Sequence, residues 1–105
     1  AISAAGMPDG DYDFADKKIS KKNGRATINS NVLAGSVINM HETFKNLVKI
    51  NFSLEQAVTM TSYNAAKYLD ENNIGVLDLR FCANLVVLDK KLEIKKVFLN
   101  GKLIS

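Results

Sequence analysis

The stretch Asn31-Val32-Leu33-Ala34-Gly35-Ser36-Val37-Ile38-Asn39-Met40 divides the chain, with turns and short extended pieces before it and helices after it. Val32 and Leu33 are apolar, Ala34 and Gly35 are small, and Ser36 is a residue type favoured at helix N-caps. Its hydroxyl oxygen can accept a bond from an otherwise unpaired N–H of the first turn. Small residues at a helix mouth let a ligand reach the backbone, and the helix dipole favours an anion there. An ordinary capped helix explains the same residues, so both readings stand at this level. The expected helix runs from Ser36 to about Lys49. Val37, Met40, Phe44, Leu47 and Val48 fall on one face, and Asn39, Glu42, Lys45, Asn46 and Lys49 on the other.

Towards the N-terminus, Met7-Pro8-Asp9-Gly10 reads as a turn. Pro presets φ, Asp bonds its own backbone and Gly takes a positive φ. Asp11 to Phe14 alternates and is expected to be a short strand. Asp9, Asp11 and Asp13 resemble the start of a calcium loop, but Phe14 and Ser20 stand where such a loop needs Gly and Glu, so calcium binding is excluded. Asn23-Gly24 between Lys18–Ser20 and Arg25–Ile28 is a strong hairpin signal. Asn100-Gly101 between Val97–Leu99 and Lys102–Ile104 predicts a second hairpin.

Beyond the first helix, Ser53 and Gln56 form a capping box, with Phe52 placed to pack on Ala57. Leu54, Ala57, Val58 and Thr61 line one face. Tyr63-Asn64 is expected to interrupt this helix, with Asn64 capping a third, Ala65 to Leu69, which the polar segment Asp70 to Asn73 ends. Leu85-Val86-Val87-Leu88 is apolar without alternation and predicts a strand buried on both faces. Asp89-Lys90-Lys91 turns the chain into a strand from Glu93 to Leu99. The order is β-rich, then α, then β, an α+β chain.

The 105 residues, 47% of them hydrophobic, suffice for one small core. The net charge of +3 is mild, and the lysine pairs (17-18, 21-22, 90-91, 95-96) are dispersed without interleaved aromatics. They read as solvated faces rather than a nucleic-acid surface. The single cysteine, Cys82, excludes an internal disulfide and a cysteine zinc cluster, and fits a reducing compartment. The single histidine, His41, reads as a boundary residue of the helix. No apolar run approaches membrane-spanning length, and Ala1 to Gly6 lacks the features of a signal peptide. The chain lacks an initiator Met and is expected to be an excerpt from something longer. No nucleophile, base and orienting group come together in the sequence, and no glycine-rich phosphate loop is present.

Three motifs carry a family resemblance. Ala1-Ile2-Ser3-Ala4-Ala5-Gly6-Met7-Pro8-Asp9-Gly10-Asp11-Tyr12 resembles the segment after the last barrel strand of N-acetylglucosamine-6-phosphate deacetylases. Leu33-Ala34-Gly35-Ser36, with the helix through Asn46-Leu47-Val48, resembles their substrate loop and helix. Ser53 to Leu69, Gly75-Val76-Leu77 and Ala83 to Asp89 resemble the broader C-terminal signature of the amidohydrolase superfamily. Three positions depart from the pattern: Asn84 stands for the usual Asp, Arg80 for a common Gly, and Ala65 for the usual Pro.

The resemblance implies a metal-dependent (β/α)₈ barrel with a smaller β-sandwich domain. Residues 1-73 would belong to the barrel, with an early hairpin, and residues 74-105 to the sandwich. It implies hydrolysis of the N-acetyl group to glucosamine 6-phosphate and acetate, with a divalent metal of zinc or iron type, in the cytoplasm. Ala1 matches the Ala of a Thr-Asp-Ala triplet, which puts the proton-moving aspartate just before the first residue and the metal ligands further upstream. No catalytic or metal role then falls on this chain, and none is expected of it alone. Leu33, Ala34, Gly35 and Ser36 are the implied substrate-binding residues. The implied partners are a sugar phosphate and either a second copy or the rest of the enzyme, which would cover the apolar faces; neither nucleic acid nor membrane is implied. Another amidohydrolase, of dihydroorotase or deaminase type, and a non-catalytic α+β interaction module remain as alternatives.

Overall fold

A computed structural model describes residues 2–29 and 32–105. Ala1, Ser30 and Asn31 lie outside the described residues, so the match at Ala1 and the first residue of the Asn31–Met40 stretch have no structural counterpart. The architecture is α+β, in two compact units, Ala1–Thr43 and Phe44–Ser105.

The first unit holds an antiparallel sheet of four strands, β1 (Gly10–Phe14), β2 (Lys17–Lys22), β3 (Arg25–Ile28) and β4 (Val32–Gly35), in the order β1-β2-β3-β4. The early hairpin of the sequence is therefore the centre of a longer meander. Asn23 and Gly24 have φ of 51° and 72°, the paired left-handed residues that a type I′ turn requires, and Lys22 faces Arg25 across it. Among the described residues Ile19 is the one fully buried large side chain, while Lys17, Lys18 and Lys22 of β2 are exposed and Lys21 is half-buried. It packs with Ala4, Ala26 and Val37, and Ile2, Tyr12, Ile28 and Ala34 close around them.

The turn expected at Met7–Gly10 is displaced. Gly10 opens β1 opposite Lys21, and the left-handed glycine is Gly6, with φ of 75°. Asp9 does not bond its own backbone; its Oδ2 accepts from the Asn23 N–H at 2.8 Å and so ties this segment to the β2–β3 turn. Tyr12 Oη donates to the Pro8 carbonyl at 2.7 Å, and Lys21 Nζ donates to that of Met7.

Helix α1 spans Met40–Lys49, four residues shorter at its start than the pattern suggests. Ser36 is not its cap. Asn39 is: its Oδ1 accepts from the Glu42 N–H at 2.8 Å, and Glu42 Oε2 accepts from the Asn39 N–H at 3.1 Å. This reciprocal box satisfies two unpaired donors at once. It wins because Val37 is buried in the core of the first unit, which keeps residues 36–39 out of the helix. At the far end, Asn51 takes φ of 72°, its N–H bonds the Val48 carbonyl at 3.0 Å, and the Phe52 N–H bonds that of Leu47 at 3.1 Å. This pairing is the Schellman closure.

In the second unit the capping box of Ser53 and Gln56 starts α2 (Leu54–Val58), with bonds of 3.1 and 2.9 Å. The expected break at Tyr63-Asn64 does not occur. A π-helical turn, Thr59–Tyr63, runs directly into α3 (Asn64–Tyr68). Asn64 is itself helical and donates its N–H to the Thr59 carbonyl five residues back, so it caps nothing. The hydroxyls of Thr59 and Thr61 donate to the carbonyls of Glu55 and Ala57 at 2.8 and 2.7 Å. Such back-bonds loosen the α ladder, and the wider turn keeps the rod continuous. A Cβ on Gly75 would stand 2.9 Å from that of Ala66, so the segment after α3 folds back onto the rod only with glycine there.

The second sheet is β5 (Leu85–Leu88), β6 (Ile94–Leu99) and β7 (Lys102–Leu103), all antiparallel, in that order. The Asn100-Gly101 hairpin forms as expected, with φ of 49° and 76°. Burial of β5 on both faces is not observed: Val86 and Val87 are 52% and 39% exposed, because β5 is an edge strand of a three-stranded sheet. Tyr68, Leu77 and Leu79 are more exposed still, at 89%, 80% and 87%. Among the described residues no helix is long and apolar enough to cross a membrane.

The connections carry the polar bonds. Asn84 Oδ1 accepts from the Asn100 N–H at 2.8 Å, so the amide oxygen supplies the acceptor that a carboxylate would. Asp89 Oδ1 accepts from the N–H groups of Lys91 and Glu93, both at 2.9 Å, and Lys95 Nζ lies 3.2 Å from Oδ2. The Glu93 N–H, above all, holds the Asp89 carboxyl below its ordinary range against a partial burial that pushes the other way; Lys95 and the Lys91 N–H add to the lowering.

Candidate functional site

Leu33, Ala34 and Gly35 are the last three residues of β4, and Ser36 follows them outside regular secondary structure. β4 pairs only with β3: Leu33 faces Thr27 and Gly35 faces Ala26, with the register shifting between them so that Ala34 is the extra residue of a bulge. Bulges gather at sheet edges and next to sites, where they re-aim a side chain. Leu33 is 62% exposed and Ser36 is exposed, whereas Ala34 and Gly35 are half-buried.

The four residues are thus adjacent, but as the end of an edge strand rather than the mouth of a helix. Beyond Ser36 the chain reaches α1 only after Val37, Ile38 and Asn39. The smallness of Gly35 also has a specific cause. A Cβ there would stand 2.6 Å from Cγ2 of Ile2, and its φ is 155°. The Ile2 N–H donates to the Ser36 carbonyl at 3.0 Å. The N-terminal segment therefore lies directly against this end of β4.

What the segment offers is backbone polar groups along an edge, one apolar side chain and one hydroxyl. These can bind and orient a polar ligand, but none of the four side chains can act as an acid or base near neutral pH. His41, half-buried in α1, has an Nε2 shut from solvent with no hydrogen-bond partner in the structure. Among the described residues no three His, Cys, Asp or Glu side chains lie close enough to hold a metal ion. The donor set among the described residues does not fit a catalytic metal.

Of the clefts among the described residues, two lie elsewhere. One, of about 290 Å³, is lined in part by Gly6, Lys21, Asn39 and Glu42. Asn39 Oδ1 and Glu42 Oε2 are engaged in the capping box, and Lys21 Nζ donates to the Met7 carbonyl. The other, about 360 Å³, runs along α2 and the π turn from Phe52 to Met60. Neither includes Leu33–Ser36.

Comparison with known proteins gives the context for this edge. The model of the Amidohydrolase family matches residues 13–104. The N-acetylglucosamine-6-phosphate deacetylase of Lysinibacillus sphaericus is 34% identical over 104 residues, covering 98% of this chain and 27% of that protein. That of Vibrio furnissii is 32% identical over 106 residues, covering 99% and 27%. The crystal structure of N-acetylglucosamine-6-phosphate deacetylase from Thermotoga maritima superposes with a TM-score of 0.84 at 29% identity, over 98% of this chain and 29% of that one. The chain thus spans little more than a quarter of the length of these relatives, 27% to 29% of each.

Proposed function

The chain belongs to the amidohydrolase family, and from that premise we propose that it is the C-terminal part of an N-acetylglucosamine-6-phosphate deacetylase. The observation that carries the reading is the breadth of the likeness: 34% identity across 98% of the chain, including the stretches outside the shared amidohydrolase signature. The reaction adds water across the amide C–N bond. Acetate leaves, and the sugar nitrogen takes up a proton to give glucosamine 6-phosphate.

In this reading Leu33, Ala34, Gly35 and Ser36 contact the sugar phosphate, through backbone groups at the end of β4, the Ser36 hydroxyl and the Leu33 side chain. That role suits a segment with exposed polar backbone and no titratable side chain. Amidohydrolases generally use a metal, and a divalent ion of zinc or iron type would polarise the amide or activate water. Its ligands and the proton-moving aspartate are supplied by residues outside this chain. Residues 1-73 complete the barrel and residues 74-105 contribute strands to the small β-sandwich. The exposed faces around Tyr68, Leu77 and Leu79 are covered by the rest of the enzyme or by a second copy, in a cytoplasmic protein.

The test is acetate release by the full-length product of the gene, with added divalent metal. N-acetylglucosamine 6-phosphate is compared with unphosphorylated N-acetylglucosamine and with the C4-epimeric phosphate. Preference for the first supports the reading. Preference for the epimer changes the substrate, and no release from any of the three refutes deacetylation.

A further inference from the structure

We propose that Ile2 is a positioning residue for the Leu33–Ser36 segment, acting by steric and backbone contact with Gly35 and Ser36; the proposal rests on the substrate-contact reading above. Two observations meet at this residue. Its Cγ2 occupies the space that a Cβ on Gly35 would need, 2.6 Å away, and its N–H donates to the Ser36 carbonyl at 3.0 Å. Ile2 is anchored in turn against the cluster of Ala4, Ile19, Ala26 and Val37. Its carbonyl accepts from the Ala5 N–H at 2.9 Å, so the turn that follows fixes its backbone.

Bulged edge residues such as Ala34 and Gly35 have few ladder bonds of their own to define them. Ile2 supplies what the ladder lacks, a side chain filling the hollow over Gly35 and a donor on the Ser36 carbonyl. The Ser36 hydroxyl and the neighbouring amides are thereby held before a ligand arrives, and a preorganised site spends less binding energy on ordering itself. Ile2 touches no substrate in this scheme. It sets where the contacting groups stand.

The test uses the full-length enzyme carrying I2V, I2A, G35A and I2A/G35A, with deacetylation kinetics and thermal melts for each. I2A raises KM by about fivefold or more with kcat within about twofold of wild type, the signature of lost uniform binding, and I2V restores KM towards wild type. G35A lowers kcat/KM by about tenfold to a hundredfold, as ångström-scale displacements do. In I2A/G35A part of that loss returns, because the methyl that the new Cβ meets is gone. An unchanged KM in I2A overturns the proposal, even if the melting temperature falls. So does a G35A defect of the same size in both backgrounds. Should G35A fail to fold, the KM values of I2A and I2V decide alone. A wild-type enzyme that releases no acetate refutes the deacetylase reading first, and this proposal with it.

Discussion

Replacing Arg80 by glycine should make the segment before β5 harder to open. Arg80 is the third residue of the turn Asp78–Phe81, closed by the Phe81 N–H on the Asp78 carbonyl at 3.2 Å, and its φ is 74°. A positive φ at that position is the place where such turns want glycine. A left-handed conformation costs an L-residue about 1–2 kcal/mol. Glycine escapes that but loses about 0.5–1 kcal/mol more entropy on ordering. The difference leaves Arg80→Gly favoured by roughly 0–1.5 kcal/mol, centred near 0.5–1 kcal/mol. Arg80→Ala keeps the strained φ and should change little, since the side chain is exposed. Hydrogen exchange of the Phe81 and Cys82 amides reads this segment whether or not the whole protein unfolds in one step. The Cys82 N–H is bonded to the Asn73 carbonyl at 2.7 Å, so it reports on the same closure. In Arg80→Gly both amides should exchange about two- to fivefold more slowly, the ratio that 0.5–1 kcal/mol gives. Faster exchange in Arg80→Gly, or equal slowing in Arg80→Ala, would refute the assignment of strain to this residue.

Other consequences can be checked on the same protein. Ser53→Ala removes the acceptor for the Gln56 N–H and should cost about 1 kcal/mol, read as faster exchange of the first amides of α2. Asn84→Ala should loosen the Asn100-Gly101 hairpin by about 1 kcal/mol, whereas Asn84→Asp keeps the acceptor and should match or exceed wild type. The lowered pKa of Asp89 means that its bonds stabilise the β5–β6 connection above the unfolded value of about 3.9, and that this support is lost as pH falls through the lower folded value. A carboxyl NMR titration should place the Asp89 midpoint below that of an unstructured aspartate, and Lys95→Ala should move it upward.

Where a local rule was written in adjacent residues, the fold was legible. Asn23-Gly24 and Asn100-Gly101 have no good alternative to a type I′ turn, and Ser53 with Gln56 satisfies its own donors whatever surrounds it. Where two local rules competed, tertiary burial decided. Ser36 and Asn39 are both good caps; Val37 had to enter the core, and the Asn39–Glu42 box, visible in the sequence as Asn-x-x-Glu, took the helix start. Asn64 looked like a cap because no local pattern announces a π turn. The left-handed Ala15 between β1 and β2, with φ of 54°, carries no turn residue that would reveal it. At the candidate site the order of Leu33 to Ser36 could be read directly. The reason Gly35 must be small could not, because it lies in Ile2, far away in sequence and 2.6 Å away in space.

We propose that Leu33 to Ser36 form a substrate-contacting edge of a deacetylase whose proton-moving and metal-binding groups are supplied by other residues. The most direct measurement is acetate release from N-acetylglucosamine 6-phosphate, with and without added divalent metal, by the full-length gene product and by these 105 residues alone. Metal-stimulated release by the full-length protein and none by the 105-residue chain is the expected result. Release by the short chain itself would contradict it.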